Sequence, residues 1–193
     1  MKYVTIIGDS ISTYEGCNPE DYAVYYDREF QKVNGLKSIE DTWWAKVIHA
    51  MDAKLCVNNS YFGSRVSGLV FPAAESDGRL AELSTEQHDP DIILIYIGFN
   101  DFGYGVKVRM KDCTDDPDEE SFEEAYDHML RTIRRKYPDA FIFCATHMRT
   151  RVRNRELWEF PEDYAGYEFE QYNNVIREVC HRSELSPPKC HAL

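Results

Sequence analysis

A three-layer α/β/α domain built on a doubly wound parallel sheet is the architecture this sequence predicts. Three observations carry the prediction. Short aliphatic and β-branched runs alternate along the chain with stretches of helical period. The run Asp91–Ile97 is apolar on both faces, as a central parallel strand is. Small polar residues follow the first such run, at the carboxyl edge where open parallel sheets bind ligands. The 193 residues suffice for one domain with a proper core. No repeat, low-complexity stretch or linker divides them, so 1–193 reads as a single domain.

The first strand is Tyr3–Ile7. Gly8 then permits a tight turn, and Asp9 and Ser10 follow it. A serine held there has its hydroxyl pushed out of the packed interior, which makes Ser10 a candidate nucleophile. Gly-Asp-Ser is equally the composition of an ordinary turn. The stretch Ile11–Asp41 lacks a period and is rich in tyrosine (Tyr14, Tyr22, Tyr25, Tyr26) and acids. Such aromatics either stack on a sugar ring or cover apolar surface. Asp41-Thr42 opens a helix with Trp43, Trp44, Val47, Ile48 and Met51 on one side.

Lys54–Asn58 is the second strand. Gly63, in the loop that follows, either brings a backbone N–H up to a developing oxyanion or is a plain loop glycine. Gly78–Gln87 holds a short helix. The central strand ends in Gly98-Phe99-Asn100-Asp101, where the Asn100 amide can donate to an oxyanion or cap the next helix. Met110–Glu120 is an acidic surface loop. Ser121 and Glu124 form a capping-box pattern before a helix carrying Phe122, Ala125, Tyr126, Met129, Leu130 and Ile133 at helical spacing. Ala140–Thr146 is the fourth strand, with His147 at its end. Arg149–Tyr164 reads as loop and aromatics, and Tyr167–Cys180 as the last helix.

Composition excludes some functions. The net charge is −12 and the pI about 4.9, which argues against a nucleic-acid backbone as partner. No apolar run is long enough to span a bilayer, and the N-terminus enters the first strand without a signal peptide, so a cytoplasmic location is expected. The six cysteines form no Cys-x-x-Cys pair, and Cys56 and Cys144 are expected to be buried small hydrophobes. Asn58-Asn59-Ser60 matches a glycosylation triplet by accident. No metal and no cofactor is implied.

Gly8-Asp9-Ser10, Gly63 after Asn59-Ser60, and Gly98-Phe99-Asn100-Asp101 fall at three strand ends in that order. With Thr42-Trp43-Trp44 and Val57–Ser60, this resembles the SGNH hydrolases, the GDSL esterases and lipases, from Lys2 to about Cys180. The resemblance implies a flavodoxin-like five-stranded parallel sheet between helices. It implies that Ser10 attacks an acyl carbonyl. The Ser10 N–H, the Gly63 N–H and the Asn100 amide would then hold the oxyanion, helped by a helix beginning at the serine. Asp9 would orient the turn.

The chain departs from that family in one block. An Asp-x-x-His near the C-terminus supplies the family's base, and none occurs here. Residues 181–193 form an atypical tail with Pro187-Pro188, which cannot lie inside a central strand. The last strand is therefore expected to be missing, as a truncation or frameshift would leave it. The fourth strand would become an edge covered by the tail or by a second copy of the chain. His147, His181 and His191 are the candidate substitute bases, each with an alternative role as a packed or solvated histidine. The expected function is a serine ester hydrolase, feeble or inactive without its base. Its partner would be a small ester, with acylated carbohydrates, thioesters and lysophospholipids all open. The alternative is a non-catalytic protein binding a carbohydrate or acyl ligand in the same cleft.

Overall fold

The computed structural model describes residues 1–29, 31, 35–109, 120–148, 163–184 and 190–192. The strands are β1 Lys2–Gly8, β2 Ala53–Ser60, β3 Ile92–Tyr96, β4 Phe141–Cys144 and, further on, β5 Asp163–Tyr164, β6 Tyr167–Glu168 and β7 Cys190–Ala192. The helices are α1 Trp43–Ala50, α2 Asp77–Ala81, α3 Phe99–Gly103, α4 Phe122–Lys136 and α5 Phe169–Glu184. Five strands make one sheet in the order β2-β1-β3-β4-β7, each pair parallel. The strands β5 and β6 form a separate antiparallel hairpin.

The period of two along the central strands decides which helix covers which face. Val4, Ile6, Ile92 and Leu94 pack with Trp44, Ala45 and Ile48 of α1. Ile7, Ile93 and Ile95 face the opposite way, into a larger cluster with Leu80, Phe122, Met129, Leu130, Ile133, Val175 and Val179 of α2, α4 and α5. Burial on both faces is what makes these strands continuously apolar. Local caps set the helix starts. Thr42 accepts from Ala45 N at the head of α1. Ser121 and Glu124 close the expected capping box on α4.

The parallel α/β prediction therefore holds, with four full strands in the sheet. The edge beside β4 is nevertheless filled, which corrects the expectation of a missing last strand. The tail lays Cys190, His191 and Ala192 against Ile142, Phe143 and Cys144. The last strand is shortened to three residues, and the tail covers the edge as expected. Pro187 and Pro188, which argued against a strand, lie outside the described residues. The loops expected over 110–119 and 149–162 lie outside them too. The burial expected for Cys144 is found, whereas Cys56 is only partly covered, its thiol 3.4 Å from the His88 carbonyl.

Candidate functional site at the carboxyl ends of β1, β2 and β3

The strand register brings the three expected blocks to one edge. Gly8 is paired with Ser60 on one side and Tyr96 on the other. Ser10, Gly63 and Asn100 thus follow the last residues of three neighbouring strands. An added Cβ at Gly8 would come within 2.5 Å of Ser12 and 2.8 Å of Ser60 Oγ, so only glycine lets the turn fold back here.

Ser10 opens a single 3-10 turn, Ser10–Ser12, and is half-buried. This corrects the expected helix: three residues carry no macrodipole of consequence, and only local N–H groups remain to favour negative charge. The turn is pinned from three sides. Asp9 Oδ1 accepts from Ile11 N at 3.3 Å. Trp43 Nε1 donates to Ser12 Oγ at 3.1 Å, and Asn58 Nδ2 to Ser12 O at 2.8 Å. Asp9 is 3% exposed. Burial pushes its carboxyl up to about 7, helped by nearby Asp101 and opposed by Arg79.

Gly63 lies at φ +73 on an exposed turn, with nothing within 4 Å of where a Cβ would stand. Conformation, not space, selects glycine there. The turn is tied to the serine strand through Tyr61 N, which donates to Gly8 O at 3.2 Å, and is closed by Ser64 N donating to Tyr61 O. Asn100, on the first turn of α3, reaches across. Its Nδ2 donates to Ser64 O at 2.8 Å. This leaves the second amide hydrogen of Asn100 for another acceptor.

Two buried charges frame this edge, and neither is evident from the sequence alone. Asp101 accepts from Val66 N at 2.8 Å, Ser67 N at 3.0 Å and Ser67 Oγ at 2.8 Å. Adjacent residues of one short helix therefore hold both halves of the segment that follows Gly63. Burial nevertheless raises the Asp101 carboxyl to about 6. Arg79 is fully buried and donates to the carbonyls of Gly8, Asn59 and Pro72 and to Asn59 Oδ1. Burial lowers its guanidinium to about 10. Tyr22 covers that guanidinium with its ring face and donates to Glu82, so this tyrosine of the aromatic segment covers rather than presents itself to solvent. Asn58, Asn59 and Ser60 are buried in β2, which removes them as a glycosylation acceptor.

His147 is built differently. Its ring Nε2 lies 3.1 Å from the Ile97 carbonyl. A carbonyl only accepts, so Nε2 carries the proton. The His147 backbone is held at both ends by Asn173, through its N–H at 2.8 Å and its carbonyl at 3.1 Å. The ring stacks on Tyr96 with centroids 5.3 Å apart. Burial lowers its pKa to about 4, so the ring is neutral at pH 7. Among the described residues, no hydrogen bond joins His147 to Ser10. His181 is exposed in the last turn of α5, and His191 belongs to β7. No group of three or more His, Cys, Asp or Glu among the described residues is arranged to hold a metal ion.

A family model for GDSL-like lipase/acylhydrolase proteins matches residues 2–184. This chain belongs to that family. A candidate GDSL-like lipase of Bacteroides ovatus superposes with a TM-score of 0.72 at 24% identity, covering 100% of this chain and 85% of its own. One of Bacteroides uniformis gives 0.70 at 28%, with 98% and 82% covered. A family two carbohydrate esterase of Clostridium thermocellum, in complex with cellohexaose, gives 0.55 at 18%, with 99% and 53% covered. No curated protein matches the chain. By family, then, the protein is an esterase or lipase and its general chemistry is hydrolysis. Among the described residues, no helix is long and apolar enough to cross a membrane.

Proposed function

We propose that this chain is a serine ester hydrolase of small acyl esters, with Ser10 as nucleophile. The Ser10 Oγ attacks the acyl carbonyl carbon, its proton passing to water, and the carbonyl π electrons move onto oxygen. The Ser10 N–H, the Gly63 N–H and the free hydrogen of the Asn100 amide surround that oxygen. Collapse expels the alkoxide, which takes a proton, and water then frees the acyl group from Ser10. Asp9 keeps the turn in place and takes no part in proton transfer. The observation that carries this reading is the Asn100 Nδ2 bond to Ser64 O, which joins the asparagine to the loop that presents Gly63. Each such donor is typically worth about 3 kcal/mol of barrier.

In this reading His147 packs and does not act as base, because among the described residues no hydrogen bond joins it to Ser10 and burial lowers its pKa to about 4, which makes it a weak proton acceptor. Water takes the proton, and the rate is low, at the level that oxyanion donors and binding alone supply. The proposed alcohol is a carbohydrate. Phe62 and Phe71 are 48% and 44% exposed beside the Gly63 loop, backed by Tyr25 on one and by Tyr22 and Tyr61 on the other. Half-exposed rings with fixed backing suit a sugar face. The Clostridium esterase, which binds cellohexaose, is consistent with that choice.

The second reading, a non-catalytic binder of acylated carbohydrate, draws on the same seclusion of His147. Hydrolysis of p-nitrophenyl acetate separates the two. Slow turnover, lost in Ser10→Ala, is expected. Turnover equal in the two proteins, or saturable glycan binding with none, removes the hydrolase reading.

A further inference from the structure

Behind the Gly63 loop two carboxyl groups meet from distant parts of the chain. Glu75 is fully buried. The N–H of Gly68 donates to Glu75 Oε1 at 2.8 Å and to Glu120 Oε2 at 3.2 Å. The two carboxyls thus converge on one N–H, which brings them side by side. Two carboxylates in contact cannot both ionise cheaply, whereas one proton between them turns repulsion into a bond. The other groups facing Glu75 are few. Asp101 on α3 adds negative charge. His128 of α4, half-exposed, sets its Nδ1 3.1 Å from Glu75 Oε2. Burial first, then the bond to Glu120, push Glu75 up to about 8.

The segment they hold is continuous with the one that presents Gly63. Tyr61 N is fixed to Gly8, Ser64 O to Asn100, Val66 N and Ser67 N to Asp101, and Gly68 N to the carboxyl pair. Arg65 O and Val66 O accept from Ala74 N and Glu75 N. Glu75 thus grips the loop by its backbone and its side chain together. A second negative charge at the pair would press Glu75 away from Glu120 and pull on both attachments.

We propose that Glu75 and Glu120, joined by one shared proton, are positioning residues for the loop that presents the Gly63 amide. The protonated pair holds the loop closed; loss of the proton loosens it. The inference rests on the oxyanion role proposed for Gly63.

Two readouts test it. Amide hydrogen exchange of residues 61–68, corrected for intrinsic rates, needs no turnover. In the wild-type chain, protection is expected to fall by about tenfold as pH rises through about 8. In Glu75→Gln it should stay level, because the amide bonds Glu120 and Gly68 with no proton to lose. In Glu120→Gln the transition should move to lower pH, since a donor now faces Glu75. The half-buried Glu120 carries the test if Glu75→Gln does not fold. His128→Gln should retain a transition, though displaced because its Nδ1 faces Glu75 Oε2; its loss there would assign the proton to the histidine and overturn the inference. Ser10-dependent hydrolysis should lose kcat, with KM little changed, over the same interval, and Glu75→Gln should abolish that alkaline loss. Wild-type exchange without a transition overturns the inference, as does the same transition in Glu75→Gln. No hydrolysis with the exchange transition intact defeats the hydrolase reading alone.

Discussion

The ends of β1, β2 and β3 and the end of β4 stand on the same edge of one sheet and are built on opposite plans. At the first three, polar groups are aimed outward from a buried frame. Gly8, Gly63 and Asn100 are linked through backbone acceptors, with Asp101 and Arg79 locking the loops behind them. At the fourth, the polar group is turned inward. His147 spends its ring N–H on Ile97 and its backbone on Asn173. The difference teaches that the groups proposed to stabilise charge and the histidine at the end of β4 are separate constructions. Loss or rerouting of one leaves the other standing, because each has its own hydrogen bonds.

That contrast can be broken where the effect is largest. Asn100→Ala removes both the proposed donor and the tie to Ser64, and steady-state kinetics should read a loss of about 10²–10³-fold in kcat. A change under threefold would detach the asparagine from the chemistry. The smaller effect lies at the other end. His147→Gln should alter kcat by less than about threefold, since among the described residues no hydrogen bond joins the ring to Ser10. Its signature is in stability. A histidine whose folded pKa is lowered to about 4 loses stability as pH falls from its unfolded value near 6.5. Relative to His147→Gln, wild type should lose on the order of 2–3 kcal/mol between pH 7 and pH 4, read by denaturant melts. A bell-shaped rate profile with a limb near 6.5 that His147→Gln abolishes would instead make this histidine a base.

The same contrast governs what could be read in advance. The blocks at β1, β2 and β3 were legible because glycine is demanded locally, by space at Gly8 and by φ at Gly63. The central strand β3 was legible because burial on both faces leaves it apolar throughout. Short elements were not: α3 has five residues, and the hairpin β5–β6 has two per strand, too few for a period to register. The tail strand was hidden by a proline pair and by being three residues long. Arg79 was invisible because a charged residue on a short helix reads as solvated; only the four acceptors gathered around it keep it inside. The Glu75–Glu120 contact had no local signal at all, since the partners come from separate loops. Asp101 offered a hint by standing next to Asn100, but its ligands are backbone N–H groups that no side-chain pattern announces.

The central claim is that a hydroxyl, a main-chain amide and a carboxamide surround one reacting atom. Mass spectrometry after treatment with a fluorophosphonate tests it most directly, since the phosphonyl oxygen occupies the site of the oxyanion. A single adduct on Ser10 is expected, absent in Ser10→Ala and formed more slowly in Asn100→Ala. An adduct on another residue, or labelling of Ser10 in Asn100→Ala as fast as in wild type, would contradict it.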